Sequence, residues 1–192
     1  MTTLVSRRAA AAFVLALAGL QSAWAQGPAP RVKLSTSAGD IVLEVYPDKA
    51  PKTAENFLQY VRAKQYDGTI FHRVMPTFMI QGGGFTPEMQ EKPTRPPIPL
   101  ETRPDLQNKR GMVSMARTAD PDSATAQFFI NVVDNARLDA PSPDGHGYAV
   151  FGKVVSGMDV VDKIRAVPTG NRGMHQNVPT TPVVIKSATL VK

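Results

Sequence analysis

The sequence predicts a mainly β domain, closed or sandwiched and capped by two helices, on three observations. Apolar and polar residues alternate in many short runs, only two stretches show helical spacing, and proline-rich segments connect them. No internal repeat and no domain linker interrupts the pattern.

The elements follow in order. Val32, Leu34 and Thr36 alternate with polar neighbours; Ser37-Ala38-Gly39-Asp40 turns the chain, and Ile41, Leu43 and Val45 resume the alternation, which reads as a β-hairpin. The period then changes. Ala54, Phe57, Leu58 and Val61 share one helical face, and Pro51 suits a first turn, so a helix is expected from Pro51 to Lys64. Short strands are expected at Thr69–Val74, Phe78–Gln81, Gly111–Ala116, Phe128–Val132 and Tyr148–Val154. Val160, Val161, Ile164 and Val167 line one face of a second helix over Met158–Val167, and Val183–Val191 forms a last strand. Six prolines between Pro87 and Pro104 mark a long connection, and loops are expected over Asp139–Gly147 and Pro168–Pro182.

Residues 1–25 stand apart from the fold. Arg7 and Arg8 precede an almost purely apolar run from Ala9 to Leu20, and Ala23-Trp24-Ala25 has the small-x-small form of a peptidase site. This is the layout of a secretory signal, with cleavage expected after Ala25. The run of about a dozen residues falls short of the ~20 that span a bilayer, which disfavours a retained anchor. The alanines after the arginine pair favour the general secretory route over the twin-arginine one. Residues 26–30 are then a flexible lead-in, and 31–192 the domain.

Composition excludes several functions. The formal charge of +6 falls to +4 without Arg7 and Arg8, and no dense basic stripe interleaved with aromatics suggests nucleic acid. The absence of cysteine rules out disulfides, thiolate nucleophiles and cysteine-held metals. His72, His146 and His175 lack metal-ligand spacing, Ser114 and Ser123 lack a nucleophile elbow, and Gly82-Gly83-Gly84 lacks the Lys-Ser/Thr of a phosphate loop. Backbone flexibility is the reading for that glycine run.

The chemistry concentrates in Phe71–Phe85. Arg73 and Gln81 are polar residues inside strongly apolar runs. If Phe71, Arg73 and Met75 share one strand face, large apolar groups surround Arg73, and a charge so placed needs a partner or a task. The alternative is an ordinary salt-bridging arginine on a surface strand.

The pattern FHR-x-x-P-x-FM-x-QGG at residues 71–83, followed by SMA at 114–116, QFFI at 127–130 and FGKV at 151–154, closely resembles the cyclophilin family of peptidyl-prolyl isomerases. The resemblance covers Val32–Lys192. It implies an eight-stranded antiparallel β-barrel with a helix over each end and a substrate groove on its outer face. It implies no cofactor and no metal. By the match, Arg73 corresponds to the catalytic arginine, with Gln81 helping to orient its guanidinium. Phe78, Met79, Phe129 and Leu138 correspond to the pocket for the proline ring, and Gln81, Ala116 and Gln127 to the groove lining. Tyr148 stands where many members carry histidine. Arg117 stands where asparagine is common and where backbone atoms do most of the binding. Arg137 departs from a rim tryptophan and bears on affinity for cyclosporin.

The resemblance implies as partners proline-containing polypeptides that are unfolded or folding. No nucleic acid and no stable membrane association after signal cleavage are expected, and the protein is expected to be monomeric. The signal, together with the QFFIN…GYAVFGKV pattern of the bacterial branch, points to the periplasm. A binding module or chaperone that captures proline segments without catalysis is the competing function, and a purely structural envelope protein a third.

Overall fold

The computed structural model describes residues 29–191; the expected signal at 1–25 and residues 26–28 of the lead-in lie outside them. Eight antiparallel strands close into a barrel. In chain order the strands are β1 (Arg31–Thr36), β2 (Gly39–Val45), β3 (Thr69–Val74), β4 (Met79–Gly82), β5 (Met112–Met115), β6 (Phe128–Asn131), β7 (Val150–Ser156) and β10 (Val184–Val191). Around the barrel the order is β1-β10-β3-β4-β6-β5-β7-β2, and β2 closes on β1. The remaining two strands, β8 (Thr169–Arg172) and β9 (His175–Pro179), form a separate hairpin.

Alternation sets which side of the wall each residue takes. Val32 and Leu34 of β1 pair with Leu43 and Ile41 of β2, and all four are fully buried. Helix α1 (Pro51–Arg62) lies beyond the Val45 end of β2, and helix α2 (Met158–Arg165) packs near its Gly39 end, so each closes one mouth. Phe57 of α1 enters the barrel among Tyr66, Phe128 and Phe151, with ring centroids 5.2, 5.6 and 5.0 Å away. Such aromatic pairs add stability beyond the area they bury. With the interior filled, ligand chemistry is left to the outside.

Several boundaries differ from expectation. Helix α1 stops at Arg62, and Lys64 adopts a left-handed φ of 55°. Phe78 precedes β4 because its N–H closes a turn onto the Met75 carbonyl, 3.0 Å away. Strand β7 starts at Val150 rather than Tyr148. The expected loop Pro168–Pro182 contains the β8–β9 hairpin, whose first strand is largely exposed and so carries no hydrophobic alternation to read.

The start of α1 is completed from a distance. Ala50 offers no capping side chain, and Glu101 of the proline-rich connection takes over. Its Oε1 accepts from the Lys52 N–H (3.1 Å), and its Oε2 from the Thr53 N–H and hydroxyl (2.7 Å each). A carboxylate there satisfies orphan donors and meets the positive end of the helix dipole. Glu101→Ala is therefore expected to lower stability by about 1–2 kcal/mol, read by denaturant unfolding. Peptide turnover at the distant groove should not change.

Candidate active site

The site begins with an irregularity in β3. Phe71 pairs with Gly82 of β4 but Arg73 pairs with Gln81, so β3 holds one residue more than its partner. Such a bulge breaks the alternation. Phe71 and Val74 both enter the barrel core, while His72 and Arg73 both stand outside it. The condition that Phe71 and Arg73 share a face is thus not met, and Arg73 is exposed. Among the described residues its side chain makes no hydrogen bond and no ion pair, which removes the reading of an ordinary salt-bridging arginine.

Beside Arg73 lies a shallow pocket of about 150 Å³. Met79, Phe129 and Leu138 form its buried apolar patch, with Phe78, Ala116 and Tyr148 packed around them. Arg73, Gln81 and Arg117 complete the lining. Nine of the ten residues expected at the site thus border one pocket. The tenth, Gln127, borders an adjoining depression with Gln81, Ala116 and Arg117. Arg137 lies exposed beside Leu138, in a 3-10 turn over Ala136–Leu138 that the sequence reading lacks.

Gln81 does not orient Arg73 as expected. Its Nε2 donates instead to Gln127 Oε1 at 2.9 Å. The neighbouring glycines make this possible, and by close packing rather than flexibility. A Cβ on Gly84 would sit 2.6 Å from Gln127 Cγ, and one on Gly83 (φ +88°) 2.8 Å from the Tyr66 ring. The glycine run is a seat for Gln127 and for a core aromatic.

Beneath the pocket runs a buried polar network that sequence reasoning missed. Ser114 donates to Asn108 Oδ1 (2.7 Å), and Asn131 donates to the same atom (3.3 Å). Asn108 Nδ2 donates to the Leu138 carbonyl (3.2 Å) and to Asp139 Oδ1 (2.9 Å). Asn135 Nδ2 donates to Asn131 Oδ1 (2.7 Å) and to the Phe78 carbonyl (2.8 Å). These bonds fix the backbone that carries Leu138 and Phe78. The available signals were Ser114 and Asn131, polar residues within or ending apolar strands.

Arg117 is held more firmly than its match suggested. Its side chain is only 1% exposed and forms an ion pair with Asp144, holding that carboxyl below the usual carboxylate range. Its guanidinium lies 4.5 Å from the centroid of the Tyr148 ring, which meets Phe129 edge-on at 5.7 Å. The Tyr148 hydroxyl makes no hydrogen bond among the described residues. No group of three or more His, Asp or Glu side chains there could hold a metal ion.

A barrel with a filled interior, bearing on its outer wall an apolar pocket beside a free guanidinium, suits binding chemistry without a covalent nucleophile. Comparison with known proteins agrees. Residues 31–190 match the model of the cyclophilin type peptidyl-prolyl cis-trans isomerase family. A peptidyl-prolyl cis-trans isomerase of Streptomyces antibioticus is 61% identical over 162 residues, covering 83% of this chain and 98% of that protein. Peptidyl-prolyl cis-trans isomerase A of Dickeya dadantii is 53% identical over 184 residues, covering 96% of each. The crystal structure of a Cryptosporidium parvum cyclophilin type isomerase, in the presence of the dipeptide Ala-Pro, superposes with a TM-score of 0.73 at 27% identity, covering 84% of this chain and 99% of that one. The chain belongs to the cyclophilin-type family, and it is an enzyme of the peptidyl-prolyl isomerase class.

His72 gives the site's surroundings a pH signature. It is buried against Phe85, with ring centroids 4.6 Å apart, and its Nδ1 has no hydrogen-bond partner. Burial, then His175 and Arg73, lower its pKa from 6.5 to about 4. The unfolded chain takes up a proton near 6.5 that the folded chain refuses until about 4. Stability is therefore full above that upper value and declines as pH falls through this window, by up to about 3 kcal/mol. Urea unfolding at a series of pH values should show the decline, and His72→Phe should flatten it.

Proposed function

We propose that this protein is exported and accelerates rotation about X–Pro bonds in exported polypeptides, with Arg73 stabilising the twisted amide non-covalently. The observation that carries the mechanism is the free guanidinium of Arg73 at the edge of the pocket lined by Phe78, Met79, Phe129 and Leu138.

Amide resonance sets a barrier of ~18–20 kcal/mol, and spontaneous X–Pro isomerisation takes tens of seconds or longer. No bond has to break, so the enzyme must bind the twisted amide better than either planar form. In the twisted state the prolyl nitrogen becomes pyramidal and regains its lone pair. A guanidinium N–H is then a good donor to it, whereas the planar nitrogen is a poor acceptor. The interaction strengthens only on the way to the transition state, which is the requirement for a faster reaction. Arginine stays charged throughout, so the donor needs no proton management.

The apolar pocket anchors the ring while the preceding residue rotates. Burying a proline ring there contributes roughly 1–2 kcal/mol, at about 25 cal/mol per Å². The Gln81–Gln127 pair and Ala116 border the adjoining depression and suit the client backbone. The relative whose crystal structure was obtained in the presence of the dipeptide Ala-Pro supports a proline-containing ligand. The protein works as a monomer on proline-containing chains, free of the membrane once cleaved after Ala25; no helix among the described residues is long and apolar enough to cross a bilayer.

Arg73→Ala is expected to lower kcat/KM for a proline peptide by about 100-fold or more, with peptide affinity changed only a few-fold. Exchange spectroscopy by NMR reads both without an auxiliary protease. Wild-type protein that leaves exchange at its uncatalysed rate sinks the enzymatic reading, and retained peptide binding then favours a capture role. Intact mass of the exported protein should correspond to a chain that starts at Gln26; an uncleaved mass in the membrane fraction would refute the leader.

A further inference from the structure

The isomerase mechanism leaves the Arg117 side chain without a task, yet this is the best-satisfied cation near the pocket. A buried guanidinium is costly unless its donors are met. Here Nε and Nη2 donate to the Gly147 carbonyl (3.1 and 2.7 Å), and Nη1 donates to the Thr118 carbonyl (2.9 Å). Nη2 also reaches both Asp144 carboxylate oxygens (2.9 and 2.7 Å). The guanidinium carbon also lies over the Tyr148 ring, 4.5 Å from its centroid.

That stack matters because of what lies across the ring. Tyr148 meets Phe129 edge-on, with planes at 78°, and Phe129 lines the proline pocket. The Tyr148 N–H donates to the Leu138 carbonyl at 2.9 Å, tying the same residue to a second pocket wall. Tyr148 is half-buried, so without Arg117 one face of its ring loses its support. Lysine could satisfy one or two carbonyls but offers neither the fork for Asp144 nor a plane to stack on.

Resting on the isomerase reading of the site, we propose that the buried Arg117 side chain has a positioning role: clamped by Asp144 and Gly147, it holds the Tyr148 ring as a wall of the proline pocket and so sets the grip on the client through that ring. The clamp joins two distant stretches, the end of the β5 segment and the 139–147 loop. The side chain therefore controls affinity through an aromatic wall.

The experiment measures kcat, KM and Kd for one proline peptide, with the ring resonances of labelled tyrosine, in the full chain. Arg117→Ala is expected to raise KM and Kd about tenfold, leave kcat within about twofold, and shift the Tyr148 resonances. Arg117→Lys should not restore them. In a Tyr148→Ala background the same Arg117→Ala change should add less than about twofold, since its route to the client is already gone. A full multiplicative loss in that background overturns the proposal, as do unshifted Tyr148 resonances or a loss confined to kcat. Should Arg117→Ala fail to fold, Asp144→Asn breaks the clamp from its more exposed side and is judged by the same readouts. If wild-type protein shows no isomerisation, the reading of the site fails, while Kd and the ring resonances still decide the clamp.

Discussion

Between Phe71 and Arg73, strand β3 carries one residue more than the part of β4 it pairs with, and the site depends on that surplus. A regular strand would place Phe71 and Arg73 on the same side of the wall. Either the phenyl ring would leave the core or the guanidinium would enter it. The bulge resolves the conflict by letting Phe71 and Val74 face inward and Arg73 face the groove. His72 takes up the extra position and is covered by Phe85. The unpaired imidazole nitrogen there is a cost accepted for the placement of its neighbour.

Around that fixed point the groove is built from parts that hold one another. The floor is a neutral network of Asn108, Ser114, Asn131 and Asn135, which pins the backbone of Leu138 and Phe78. One flank is the amide pair of Gln81 and Gln127, seated over Gly84. The other is Tyr148, gripped by Arg117. Among the described residues of the groove, the Arg73 guanidinium is left uncommitted. On the proposed mechanism, a pocket held in shape before the client arrives loses little to reorganisation when the amide twists, which is where electrostatic stabilisation gains its effect.

Much of this was legible in the sequence, and the reasons for the rest are specific. Alternation in Val32–Val45 and the spacing of Ala54, Phe57, Leu58 and Val61 translate directly into wall and cap, because hydrophobic period reports burial. Arg73 was conspicuous by its apolar company, but its facing was not legible, since a bulge leaves no mark on the alternation. The β8–β9 hairpin escaped because an exposed strand has no apolar side. The glycine run looked flexible, whereas its meaning lies in Tyr66 and Gln127, which the chain brings up from elsewhere. The asparagine network and the Arg117–Asp144 clamp join positions 27 or more apart in several cases, and pairings of that kind exist only once the fold does.

The β8–β9 hairpin has a different status from every other strand. It contributes nothing to the closed ring, and its tip around Met174 stands clear in solvent beside the depression that His72, Arg73 and His175 border. Insertions or deletions at that tip would reshape the groove's margin while leaving the ring of hydrogen bonds whole. The molecule thus separates a closed ring from a border that lies outside it. A change at that border leaves the fold's closure untouched.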